Sequence, residues 1–275
     1  MNTINKTTKM EGVKINVKME TKTIQPMPFW SSILFFGVPS AAVWLSIYIL
    51  MPLLAGVGVP LFWSFWLCLT GPLIGMLIAS FVGFRLEGRA FTWNEIKARF
   101  RLKPIKGKDW WWVISLIASI GLYFFLRQTV SSRLASFPGF TFPNRLPSIL
   151  DPRVSQTSIP TEYLGVSLLG NWWILLIMIV VLTFNIFGEE FWWRGYILPR
   201  QELVHGKWTW LIHGLLWTGF HSFWKWDLLA LLPGCLLVAY VSCRLKNTTP
   251  AIIFHWVNNG LTLVATALGI LGITM

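Results

Sequence analysis

Val166 to Gly188 reads VSLLGNWWILLIMIVVLTFNIFG, and Glu189-Glu190-Phe191-Trp192-Trp193-Arg194 follows directly. The run is chargeless and, as a helix rising 1.5 Å per residue, exceeds the roughly 30 Å of a bilayer's hydrocarbon core. A carboxylate at the centre of such a core costs about 2.5–3.5 kcal/mol. Two adjacent acids at the end of this run therefore need a partner, an aqueous cavity or a function.

The rest of the chain supports a membrane setting. Of its 275 residues, 55% are hydrophobic and 12% charged, and the mean hydropathy is +0.59, outside the range of soluble domains. The expected fold is an all-α, polytopic membrane helix bundle of about seven to eight transmembrane helices. Spans are expected at residues 29–54, 61–84, 109–126, 165–187, 208–226, 228–241 and 250–273. The Lys-rich stretch 1–28 reads as a disordered cytoplasmic tail, and 29–275 as the membrane-embedded domain. The first apolar run is too long for a signal-peptide core and is expected to be retained.

The formal net charge of +12 does not point to nucleic acid, because the bases cluster between apolar runs. Alternation from a cytoplasmic N-terminus puts the tail, the 85–108 loop, Arg194/Arg200/Lys207 and Arg244/Lys246 inside, as the positive-inside rule requires. The same alternation places Glu189 and Glu190 near the cytoplasmic interface of a cell membrane. The Pro-, Ser- and Thr-rich segment 127–164 falls on the other side, where it could cap the membrane core. Cys68, Cys235 and Cys243 lie inside apolar runs without disulfide-like or metal-like spacing and read as packing residues.

Three of the four histidines, His213, His221 and His255, lie in expected spans. His255 and Asn259 are spaced i, i+4 and share a helix face, as do Glu190 and Arg194, whose acid-first order suits an ion pair. A carboxylate and an imidazole can polarise water, while a second imidazole and a carboxamide can donate to an oxyanion. Glu189, His221, His255 and Asn259 fill these roles. Arg194 is also able to grip a substrate carboxylate. Asn185, one turn before Glu189, either orients that carboxylate or joins helices. His213 reads as a hydrogen-bonding partner for a neighbouring span.

Glu189-Glu190-x-x-x-Arg194, Trp217-x-x-x-His221 and His255-x-x-x-Asn259 together resemble, in order, the EExxxR, FxxxH and HxxxN motifs of the CPBP/Abi family, the type II CAAX prenyl endopeptidases and their bacterial relatives. The resemblance covers about 166–271, within a catalytic core of 165–275. It implies a glutamate-dependent intramembrane protease in which Glu189 and His221 activate water and His255 and Asn259 stabilise the oxyanion. Glu190 and Arg194 support that site. Trp217 replaces the pattern's Phe, and with Trp193 it is a candidate for the substrate groove.

The implied partners are a peptide or lipidated protein substrate and membrane lipid, with no nucleic acid. No cofactor is expected. A divalent metal is chemically conceivable on Glu189, Glu190, His221 and His255, but Asn259 suits an oxyanion better than a coordination shell. No HExxH, paired CxxC or glycine-rich phosphate loop occurs. Two other functions fit an intramembrane Glu/His set: a non-catalytic immunity or scaffold protein of the same family, and a proton-coupled transporter. No inverted repeat supports the transporter.

Overall fold

The structure, a computed structural model, describes residues 24–154 and 158–273. The main helices are α1 (Phe29–Gly56), α2 (Leu61–Leu86), α3 (Trp93–Arg99), α4 (Trp110–Leu126), α5 (Trp172–Glu190), α6 (Leu198–His205), α7 (Thr209–Phe220), α8 (Leu228–Leu245) and α9 (Thr249–Ile270). The protein is a polytopic helical membrane bundle. Its outside is apolar, with Trp30, Leu67, Phe125 and Leu176 exposed, while Glu190, Arg194, Gln201 and His213 are wholly buried. That inversion suits a lipid-facing surface around a polar interior.

Five helical stretches among the described residues are long and apolar enough to cross a membrane. One of them, Trp172–Leu245, is 74 residues long. As a single rod it would reach about 110 Å, so it must fold back on itself. It does so as α5, α6, α7 and α8: α7 lies along α8, and α5 packs against α2 and α9.

Two expected spans need correction. The fourth does not begin at Gly165, because Leu164 (φ 51°) and Gly165 (φ 80°) form the turn of a small hairpin pairing Glu162 with Ser167 and Tyr163 with Val166. Positive φ at both central residues is the primed turn that matches strand twist, and α5 starts only at Trp172. The fifth stops at Phe220 rather than Trp226. Beyond it the chain tightens into a 3-10 segment, His221–Asp227, with a kink at Trp224 (φ −110°, ψ 55°).

Two sets of contacts mark the ends of the bundle. At the basic end, the Met27 N–H donates to Arg200 O, Arg101 and Lys246 pair with Glu202, and the Thr248 N–H donates to Arg101 O. At the opposite end, the Gly170 N–H donates to Ile270 O, Arg127 lies 3.4 Å from Asp227, and Phe142 stacks edge-on to Trp226. The described part of the 127–164 segment thus packs over the helix ends. Most of the expected tail lies outside the described residues; Ile24 to Pro28 is in neither helix nor strand and is held to Arg200.

α2 and α5 approach closely at Gly188, where an added Cβ would lie 2.4 Å from the Leu73 carbonyl oxygen. The obstacle is backbone, which a side-chain rotation cannot relieve. Gly188→Ala is therefore expected to destabilise the protein by about 1–3 kcal/mol, the usual cost of overpacking. A melting temperature in detergent equal to that of the wild type would contradict this close approach.

Candidate active site

α5 ends with Glu189 and Glu190, and the chain continues as a π turn over Phe191–Ile197. Such turns are frequent at functional sites because they re-aim side chains within a helix. Here the turn carries Arg194, fully buried, whose Nη1 donates to Glu190 Oε1 at 3.1 Å. The same Glu190 oxygen accepts from His255 Nδ1 at 3.0 Å. Glu190 thus joins the π turn to α9 as well as pairing with Arg194, a link that spacing along one chain could not reveal.

Trp217 is the hub. Its indole N–H donates to Glu189 Oε2 at 3.1 Å, and the Arg194 guanidinium lies 3.4 Å from its ring centroid. His221 and His255 flank the same indole, with ring centroids 5.5 and 6.3 Å away. A cation stacked on a desolvated indole is worth about 2 kcal/mol. The indole therefore fixes the carboxylate, the arginine and both imidazoles about one side chain.

His221 Nδ1 lies 2.8 Å from Trp217 O. A carbonyl only accepts, so Nδ1 carries the proton, and in the neutral ring Nε2 keeps its lone pair. Glu189, 5% exposed, has Oε2 held by Trp217, which leaves Oε1 for a further partner. Asn259 is half-buried one turn beyond His255, and its Oδ1 accepts from Asn258 Nδ2 at 3.0 Å. Among the described residues no hydrogen bond joins Asn259 to the other site groups.

By the rise along α7 and α9, Trp217 and His255 sit about 9–12 Å from the first residues of those helices. The remaining candidates are placed as follows. Trp193 is fully buried, stacked on Phe36 at 4.2 Å and edge-on to Phe220 at 5.1 Å. Arg194 has no exposed surface with which to grip a substrate carboxylate. Asn185 is buried, and its Oδ1 has no hydrogen-bond partner. His213 Nδ1 lies 2.6 Å from Gln201 Oε1, a buried pair that joins α7 to α6.

Residues 171–261 match the family model described as type II CAAX prenyl endopeptidase Rce1-like. This stretch, about a third of the chain, is similar to the Rce1-like family. No curated protein and no solved structure shows a significant match to the chain. The matched segment holds Glu189, Glu190, Arg194, Trp217, His221, His255 and Asn259, the polar groups gathered around the indole among the described residues.

Glu190 Oε1 already faces the Arg194 guanidinium and an imidazole N–H. Among the described residues no group of three His, Cys, Asp or Glu is disposed to hold an ion.

Proposed function

We propose that the protein is an intramembrane endopeptidase that hydrolyses a peptide bond in a membrane-associated peptide or lipidated protein. The observation that carries this reading is the convergence of Glu189, His221 and His255, from three separate segments, around the Trp217 indole. The Rce1-like match over the same residues supports it. The basic end of the bundle is read as cytoplasmic, because positive charge is retained on that side.

In the proposed mechanism the free Glu189 oxygen and His221 Nε2 orient a water and take up its proton as it attacks the scissile carbonyl. The oxyanion that forms is met by His255 and by the Asn259 carboxamide on the next turn of α9. His255 Nδ1–H is committed to Glu190, so Nε2 donates only when the ring is doubly protonated, and the Glu190 carboxylate balances that charge. Glu190 and Arg194 are positioning residues here. The C–N bond breaks as the proton held by Glu189 passes to the leaving amine, giving a carboxylate and an amine.

The test uses the purified protein in lipid, presented with prenylated and unprenylated CAAX-like peptides with and without a chelator. Release of a C-terminal fragment at the same rate in both conditions is expected. Loss of activity on chelation, restored by one specific ion, would overturn the metal-free mechanism. No cleavage of these peptides or of an unbiased peptide library would overturn the protease reading.

A further inference from the structure

Pro199 sits in the first turn of α6 and has no N–H, so in an α-helical register the carbonyl four residues back, on Gly195, loses its donor. Gly195 belongs to the π turn that carries Arg194. Its oxygen accepts instead from Arg99 Nη1 at 2.6 Å, and Tyr196 O accepts from Arg99 Nη2 at 3.3 Å. Arg99 ends α3, a short helix of the 85–108 loop capped by Thr92, whose hydroxyl accepts from the Glu95 N–H.

The Arg99 side chain is fully buried, and its guanidinium is neutralised by Glu87 through bonds of 2.6 and 2.7 Å. Burial pushes the Glu87 carboxyl up, but Arg99 and then Arg89 more than offset this and hold it below the usual carboxylate range. Next to Arg99, Phe100 fills the space above Gly195, where an added Cβ would meet its ring at 2.5 Å. The same strand of chain then reaches α9: the Thr248 N–H donates to Arg101 O, and Lys103 exchanges two hydrogen bonds with the Asn247 side chain. Asn247 and Thr248 lead directly into the helix that carries His255 and Asn259.

We propose that the 99–103 segment is a clamp that sets the spacing between the π turn and α9, with Arg99 as a positioning residue for the Glu190–Arg194–His255 network. Arg99 touches no site group. It acts through the Gly195 and Tyr196 carbonyls, and its planar fork engages carbonyls and carboxylate together. A lysine keeps the charge but cannot reproduce that fork. The kinetic half of this proposal rests on the protease reading; the structural half does not.

The experiment compares wild type, Arg99→Lys and Arg99→Met in lipid, each also in a Glu189→Ala background, by amide hydrogen exchange and by peptide cleavage. Faster exchange is expected in 191–197 and 247–255, with 162–174 unchanged, in both backgrounds. In the active background kcat should fall about tenfold for Arg99→Lys and further for Arg99→Met, with KM within twofold, as for a displaced catalytic group. Unchanged exchange at 191–197 in folded Arg99→Lys would overturn the clamp. Faster exchange with unchanged kcat would overturn its positioning role. If the exchange pattern appears but wild type cleaves no peptide, the clamp stands and the protease reading fails. Arg99→Lys, which keeps the charge, carries the test if Arg99→Met does not fold.

Discussion

Glu189→Gln is expected to lower kcat for peptide cleavage by about 10³-fold, within the range that a positioned general base contributes. The substitution is chosen because glutamine keeps an oxygen that can accept the Trp217 N–H, now 3.1 Å from Glu189 Oε2. Folding and the geometry around the indole should therefore survive, and the melting temperature should stay within a few degrees of wild type. What glutamine removes is the basicity needed to accept a proton from water. Steady-state kinetics in lipid, normalised to folded protein, check this. A variant that cuts at the wild-type rate would take Glu189 out of the chemistry.

The second large effect concerns stability. Glu190 and Arg194 are both fully buried, and Glu190 Oε1 is shared by Arg194 at 3.1 Å and His255 at 3.0 Å. Removing one member of a buried ion pair leaves an uncompensated charge and costs about 3–5 kcal/mol. Arg194→Met should therefore be strongly destabilised, and it also loses the stacking on Trp217. Adding Glu190→Gln removes the stranded charge and should recover part of the loss. Unfolding in a mild detergent, followed for the two singles and the double, measures the coupling. Additive losses would mean that the two side chains do not act as a pair.

These expectations draw on different levels of the molecule. The apolar runs were legible in the sequence because most approach the length that crosses a bilayer, and the ordered polar residues stood out because such groups are costly there. The boundaries that moved did so for local reasons. Leu164 and Gly165 make a turn inside an apolar window, and α7 ends in a 3-10 segment that hydropathy alone cannot distinguish from helix.

The connections of the site were less legible. Trp217 stood out only as a departure from a motif and as a groove candidate, whereas its N–H and its π face each meet a different charged residue. Glu190 was paired with Arg194 by helical spacing, but its bond to His255 spans 65 positions and depends on α5 packing against α9. Arg99 was one base among many in a loop read as a topology signal. Pro199 was a local clue to it, since a missing N–H leaves a carbonyl in need of another donor.

The measurement closest to the central claim is cleavage in ¹⁸O-labelled water by wild type and Glu189→Gln in the same bilayer, read by mass spectrometry of products and protein. Hydrolysis by a Glu189-activated water predicts one labelled oxygen in the new carboxyl terminus from wild type, no acyl-protein in a single turnover, and almost no product from the variant. Equal product from Glu189→Gln, or an acyl group trapped on the protein, would contradict the account.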